Sequence, residues 1–373
     1  GQGFIRAIDY AKGELLVGPD AGGPPVARVR INDPAGAYGR RNRDKAGGDA
    51  FDDRFGADPG NAAIVANTGF PMCIPRVAPP AVDPECPLAN RAPAGGAFAA
   101  SEGRRYTCGP VAAEPTAPSH APCDARRPAP LQVGDFITYA GMLTEEAPGS
   151  GSFFHAAHAI EALLGIYTSP GRNPAYVFTE VTIVGTLGEP WPGIDQEETS
   201  RFRIVGFTTD PSRRVKVYAL DNPGTPAQPS PLPADADAGP GERLLAALQP
   251  SPTAQIGRVR ITLDAKSNFL PVTRDIVARI EGHPVDATTA GGLAQGRFTA
   301  PVSEYIGPEN TRFGRPRAPV AVPFENFCFL SRGGEPLSTL GRNGPAIGPL
   351  APFPDSGRGL AAQVRADGRP ACP

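Results

Sequence analysis

Val133-Gly134-Asp135-Phe136-Ile137-Thr138-Tyr139-Ala140-Gly141-Met142-Leu143 opens the stretch that decides the fold, which continues through residues 153–168 to Tyr176-Val177-Phe178-Thr179-Glu180-Val181-Thr182-Ile183-Val184. Val, Ile, Thr, Tyr and Phe crowd these runs, and Gly149-Ser150-Gly151-Ser152 and Ser169-Pro170-Gly171 cut them. β-Branched and aromatic side chains pack well on a pleated surface, and Gly, Pro and Ser supply the turns between. The pattern reads as a closed or sandwiched sheet. The run His155-Ala156-Ala157-His158-Ala159-Ile160-Glu161-Ala162-Leu163-Leu164 holds good helix formers. It continues without a cap between two strand-like neighbours, so a strand is the favoured reading and a helix the alternative.

Toward the N-terminus, Phe4-Ile5-Arg6-Ala7-Ile8-Asp9, a turn at Lys12-Gly13 and Glu14-Leu15-Leu16-Val17-Gly18 read as a hairpin of the kind that opens a small barrel. Val26-Ala27-Arg28-Val29-Arg30-Ile31 alternates apolar with basic residues, which predicts a buried face and outward-facing Arg28 and Arg30. Residues 40–61 are polar, with Asp44, Asp49, Asp52, Asp53 and Asp58, but they lack the oxygen-ligand spacing of a calcium loop and read as solvated. Ala62 to Val65 is a short strand or a helical turn. Residues 69–130 are irregular and Pro-rich. So long a loop is unusual in a compact body, and its cysteines make it readable as a disulfide-pinned excursion over a sheet.

Toward the C-terminus, Arg201-Phe202-Arg203-Ile204-Val205-Gly206-Phe207 and Arg214-Val215-Lys216-Val217-Tyr218-Ala219-Leu220 read as a second hairpin, suggesting a duplicated β unit. Residues 222–240 form a Pro/Ala/Asp linker. Glu242-Arg243-Leu244-Leu245-Ala246-Ala247-Leu248 is the best helical turn in the chain. Residues 258–263 and 276–280 alternate as strands. The tail from Gly296 is aperiodic, with Phe324, Phe327, Phe329 and Leu330 as apolar pegs that wrap a preformed body. The expected modules are therefore residues 1–130, 131–222, a linker at 223–240, 241–295, and a wrapping tail at 296–373.

Composition bounds the function. Glycine (45) and proline (46) together make about a quarter of the 373 residues, and they punctuate short apolar runs rather than spreading evenly. The net charge of −2 supplies no field to gather nucleic acid or an anionic membrane. No apolar run reaches the roughly 20 residues that a spanning helix needs. Gly1-Gln2-Gly3-Phe4 carries neither an initiator Met nor a charged-then-apolar leader, and reads as a mature chain whose export signal has been removed. Six cysteines, Cys73, Cys86, Cys108, Cys123, Cys328 and Cys372, without a C-x-x-C pair, favour disulfides over metal or redox chemistry. The expected pairing is Cys328 with Cys372 and the other four among themselves. Six reduced thiols in a cytosolic protein is the alternative.

Reactive motifs are scarce. His155-x-x-His158-x-x-Glu161 would share a face on a helix, but the spacing differs from that of zinc hydrolases, and a strand would send the two histidines to opposite faces. His120 and His283 complete the histidines. Gly149-Ser150-Gly151-Ser152 is a flexible turn and no nucleophile elbow. Asp135, Glu161 and Glu180 lie in or beside strands, where salt bridges or exposed faces are the ordinary explanation for carboxylates and a glycosidase pair the alternative. Trp191 is a loop anchor and a poor endowment for sugar binding. Phosphate cradles are absent. Arg28, Arg30, Arg201 and Arg203 alternate on strand faces, as in nucleic-acid-binding barrels, but the balanced charge argues against that use. No catalytic, cofactor-binding or metal-ligating residue is assigned.

Gly3-Phe4-Ile5, Arg30-Ile31-Asn32-Asp33-Pro34, Gly69-Phe70-Pro71-Met72-Cys73-Ile74-Pro75-Arg76, Val133-Gly134-Asp135-Phe136-Ile137 and Gly165-Ile166-Tyr167-Thr168 resemble runs in large, uncharacterised secreted proteins of fungi and bacteria. The first hairpin is similar to that of short bacterial repeat domains with an OB-like barrel. The resemblance spans most of the chain and implies export and a β fold, with no activity.

The expectation is an all-β, multi-module protein of barrel or sandwich type with OB-like elements and long disulfide-tied Pro/Gly-rich loops. It is extracellular or at the cell surface, structural rather than enzymatic, and self-associating as a homo-oligomer, polymer or filament subunit, without nucleic acid or a membrane span. The alternatives are a secreted hydrolase or carbohydrate-binding protein, and an OB-like ligand-binding module.

Overall fold

The computed structural model describes residues 1–20, 22–33, 36–40, 60–91, 105–108, 119–120, 123–185, 201–220, 235–239, 242–253, 255–264, 275–301 and 304–306. Among these the fold is all-β, with nineteen strands, no α-helix and a 3-10 turn at Leu88–Asn90. The first strands are β1 (Gln2–Asp9), β2 (Glu14–Gly18), β3 (Ala27–Ile31), β4 (Ile64–Ala66), β5 (Met72–Cys73), β6 (Arg105–Cys108), β7 (Ser119–His120), β8 (Ala129–Pro130), β9 (Phe136–Glu145), β10 (Phe153–Ala162) and β11 (Gly165–Thr168). After them come β12 (Val177–Gly185), β13 (Arg201–Thr208), β14 (Val215–Leu220), β15 (Glu242–Leu248), β16 (Arg258–Asp264), β17 (Asp275–Ile280), β18 (Arg297–Pro301) and β19 (Glu304–Ile306).

The first sheet has the order β3-β2-β1-β9-β10-β4, and β3 also pairs in parallel with β10, Val29–Ile31 lying along His155–Ala157. Pairing thus runs from β1 through β2, β3, β10 and β9 back to β1. Alternation explains what lies inside: Ile5, Leu15, Val29, Ile31, Ile137 and Ile160 are fully buried in one cluster with Ile64 and Phe70. Each such side chain stabilises the fold by roughly 1.5–3 kcal/mol. Gly141 of β9 faces β10 so closely that a Cβ would overlap the Ala156 carbonyl oxygen. The ambiguous run is therefore strand, and it carries a bulge between Ala157 and Ala159. The sheet takes strands from both sides of residue 130, and its cluster extends to Tyr176.

The excursion between β3 and β9 is pinned as expected by Cys73–Cys86 and Cys108–Cys123. Cys328 and Cys372 lie outside the described residues. Asn90 supplies further ties: its side-chain amide donates to the carbonyls of Asp124 and Arg127, both at 2.8 Å, and its oxygen accepts from the Asp124 amide at 2.8 Å. Two-residue strands β5 and β8 pair in parallel beside it, and β11, β6 and β7 form a small sheet.

Beyond Tyr176, sheets β16-β13-β12-β19 and β15-β14-β17-β18 share a second apolar cluster that includes Val177, Ile204, Val217, Leu245, Ile261, Ile276 and Ala278. Three expectations fail here. Arg201–Thr208 and Val215–Leu220 are not a hairpin, because β13 pairs with β12 and β16 while β14 pairs with β15 and β17. The intervening Thr208, Thr209 and Asp210 are buried and bonded to Tyr176, Thr168 and Gly171, and Asp210 also shapes the turn through Ser212 and Arg213, but the strands on either side of that turn enter different sheets. Glu242–Leu248 is strand and not helix: seven good helix formers cannot overcome the cost of nucleation, whereas β14 offers a ready ladder. A bulge at Leu245 turns that side chain into the cluster. The start of the tail is ordered, with Arg297–Pro301 along β17 and Glu304–Ile306 along β12. The apolar pegs from Phe324 to Leu330 lie outside the described residues, as does most of the linker.

Candidate functional site

Glu14 of β2 lies directly opposite Arg30 of β3. Its buried carboxylate accepts from Arg28 Nε at 2.8 Å, Arg28 Nη2 at 2.9 Å and Arg30 Nε at 2.7 Å. The β9–β10 hairpin adds Glu146, which accepts from Arg30 Nη2 at 2.7 Å and stands 2.9 Å from Arg28 Nη1. Arg28 Nη1 also donates to Ser152 Oγ at 2.7 Å, and the β1–β2 turn brings Lys12 Nζ to 3.8 Å from Glu146. Beneath this network the Arg30 guanidinium sits 4.3 Å from the centre of the buried Phe154 ring. Hydrogen bonds from Arg28 and then Arg30 hold the Glu146 carboxyl down at about 2, and the bond to Glu14 raises Arg28 above its ordinary range. Arg28 and Arg30, expected to face out, are thus folded against acidic partners on neighbouring strands. The result is a fixed, nearly balanced charge array on the β2–β3 face, with Lys12 its least committed member. Glu14, the centre of the array, drew no notice in the sequence. Its signal is an acidic residue opposite Arg-x-Arg across a legible hairpin.

The His155, His158 and Glu161 trio does not form a ligand set, and among the described residues no three His, Cys, Asp or Glu side chains gather as a metal site requires. His155 lies against Tyr139 with ring centres 5.1 Å apart and the planes tilted by 60°, and burial lowers its pKa. His158 is the extra residue of the β10 bulge, and its buried Nδ1 has no hydrogen-bond partner among the described residues. Asp135 is an anchor. It is buried, accepts from Arg91 Nη2 at 2.7 Å and from the Gln132 amide at 2.8 Å, and so ties the excursion to the entry of β9. Ser150 accepts from the Ser152 amide within the turn, and the Ser152 hydroxyl joins Arg28 and Glu146. The aspartate-rich loop at 41–59 and Trp191 lie outside the described residues, as do the side chain of Arg201 and that of His120.

Glu161 and Glu180 are brought together. Glu180 is the exposed extra residue of a second bulge, in β12 between Thr179 and Val181. Burial, and then the charge of Glu180, push the Glu161 carboxyl up to about 7. A folded-state pKa above the unfolded one means that the native state holds a proton that the unfolded chain has lost. The resulting stability is fully present below about pH 4.3 and disappears as pH rises through 7. Glu161→Gln keeps the neutral form at all pH values. It is expected to raise stability at pH 8 by about 1–3 kcal/mol, reduced by partial exposure, and to do little at pH 4. Urea unfolding at the two pH values tests this, and equal effects at both would contradict it.

Among the described residues no helix is long and apolar enough to cross a membrane. Compared with family models, with curated proteins and with solved structures, the chain matches none.

Proposed function

We propose that the chain is an extracellular structural or surface protein that associates with copies of itself, as a homo-oligomer or a filament subunit. The observation that carries this reading is the β9–β10 hairpin. Met142 (44% exposed), Leu143 (62%) and Phe153 (48%) project from it into solvent. Gly1 still bonds both backbone groups of Tyr139, and past Tyr139 the partner of β9 among the described residues is β10 alone. An apolar strand edge without Pro, Lys or a bulge of its own is a template for another strand. The occupant is a second copy, because antiparallel pairing of a strand with itself about a two-fold axis is self-complementary. Two disulfides among buried or half-buried cysteines support an oxidising compartment. Static light scattering across a concentration series is expected to show dimers or larger species that Leu143→Lys returns to monomer. A monomer at every concentration for the unmodified chain would remove the proposal. Electron microscopy separates a closed dimer from a filament, which needs a second and different contact.

A second reading has its own support. The pairing circuit β1–β2–β3–β10–β9, with β3 and β10 parallel, supports the reading of this part as an OB-like barrel. Barrels of this kind bind ligands over the second and third strands and the loops beside them. Lys12, Arg28, Arg30, Glu14 and Glu146 occupy that position, and their near-balanced charge suits a neutral polar ligand such as an oligosaccharide better than a nucleic acid.

A further inference from the structure

The loop of residues 281–296, between β17 and β18, belongs in sequence to the second cluster but reaches back to the first. Leu293 is buried among core residues that otherwise lie between Ile5 and Tyr176. The Gly296 amide donates to the Ala175 carbonyl at 2.7 Å. Just beyond, Asn61 accepts from the Thr299 amide at 3.0 Å and donates to its carbonyl at 2.5 Å, in the manner of a neighbouring strand. The loop holds its own shape through the Thr289 amide on the Leu293 carbonyl at 2.9 Å and the Gln295 amide on the Ala287 carbonyl at 3.0 Å.

His283 stands at the root of this loop and is only 6% exposed. Its Nδ1 lies 3.3 Å from the Pro284 carbonyl oxygen, which fixes the hydrogen on that nitrogen and leaves the lone pair on Nε2. Nε2 is buried and has no partner among the described residues. Gly296 lies directly on the ring: a Cβ there would overlap the imidazole. A proton arriving at Nε2 therefore creates a buried cation whose new N–H meets no acceptor among the described residues. The charged groups bearing on the ring sit on the turn between β13 and β14. Arg213 repels an imidazolium. Asp210 would favour it, but already serves the Gly171 amide, Ser212 and Arg213. On the loop itself Glu281 is paired with Arg214, and Asp286 with Arg297.

We infer that His283 is an acid-sensitive latch: protonation of its buried imidazole frees the 281–296 loop from the first apolar cluster and loosens the junction between the two parts of the molecule. Burial and Arg213 lower the pKa of His283, so the closing free energy is fully present above the unfolded value of about 6.5 and falls as pH drops toward the folded one. The test is amide hydrogen exchange of the whole chain between pH 7.5 and 5, carried out with Glu161→Gln so that this carboxyl does not titrate in the same range. Protection of the Gly296 and Leu293 amides, corrected for intrinsic rates, is expected to fall by up to about tenfold per pH unit below 6.5. His283→Asn is expected to flatten that dependence. Should the substitution unfold the chain, proton NMR of the His283 ring in the unsubstituted protein decides the matter. Titration below 6.5 in step with lost protection supports the latch. Titration at or above 6.5, or protection unchanged at pH 5, overturns it.

Discussion

Glu242→Ala is expected to lower the free energy of unfolding by about 3–5 kcal/mol, the usual cost of stripping one partner from a buried ion pair. Glu242 is 5% exposed and Arg279 is 4% exposed. The pair is joined twice, Arg279 Nε to Oε2 at 2.7 Å and Nη2 to Oε1 at 2.6 Å, a fork-to-fork geometry that only Arg provides. The same carboxylate accepts the Gly239 amide at 2.7 Å and lies 3.5 Å from Arg297 Nη2. Alanine would leave a buried guanidinium uncompensated and the Gly239 amide unbonded. The loss reaches beyond the pair because Gly239 follows closely on Asp235 and Asp237, which Lys216 holds at 2.7 Å and 2.6 Å. Removing both charges as Glu242→Leu with Arg279→Met is expected to restore the part of the loss that comes from the uncompensated guanidinium, while the Gly239 amide stays without its acceptor. Urea unfolding of the single and double variants measures this. A single-variant loss under about 1 kcal/mol would mean that water reaches the pair.

What could be read from the sequence follows the range of each interaction. The alternation in Val26 to Ile31 and the Lys12-Gly13 turn specify strands and a local hairpin, because one buried face and one turn are local properties. The identity of a strand's neighbour is not local. Phe4 pairs with Phe136, and Val29 with His155, across more than a hundred residues. Nothing in either run names the other. For the same reason Arg201–Thr208 and Val215–Leu220, adjacent in the chain, entered separate sheets. Glu242–Leu248 failed in the opposite sense: strong local preference lost to a ladder and a buried counter-charge supplied from elsewhere. The bulges that place His158 and Glu180 depend on register, which periodicity cannot supply. The four excursion cysteines were legible because a long Pro-rich stretch needs crosslinks to be ordered. Their division into sequential pairs, one of the possible pairings, required the structure.

That division leads to an expected order of reduction. Cys73 and Cys86 are both buried, whereas Cys123 of the other bridge is partly exposed. A thiolate must reach sulfur to attack it, so graded dithiothreitol followed by alkylation and mass spectrometry is expected to open Cys108–Cys123 first. Replacing Cys73 and Cys86 together with alanine should cost about 3 kcal/mol, the chain entropy of a closed loop of this size, because the bridge spans 13 residues. The native geometry around the bridge argues that little is returned by relaxation. Within the loop the Arg76 amide donates to Asp83 at 2.9 Å, and the Ile74 amide donates to the Tyr38 carbonyl at 2.8 Å. These bonds keep the folded loop in place without the crosslink, so the loss falls mainly on the gain in freedom of the unfolded chain. The corresponding observable is a lower unfolding midpoint with an unchanged native near-ultraviolet spectrum. A variant that instead loses native tertiary signal in the absence of denaturant would show that the bridge shapes the folded state and does more than restrict the unfolded one.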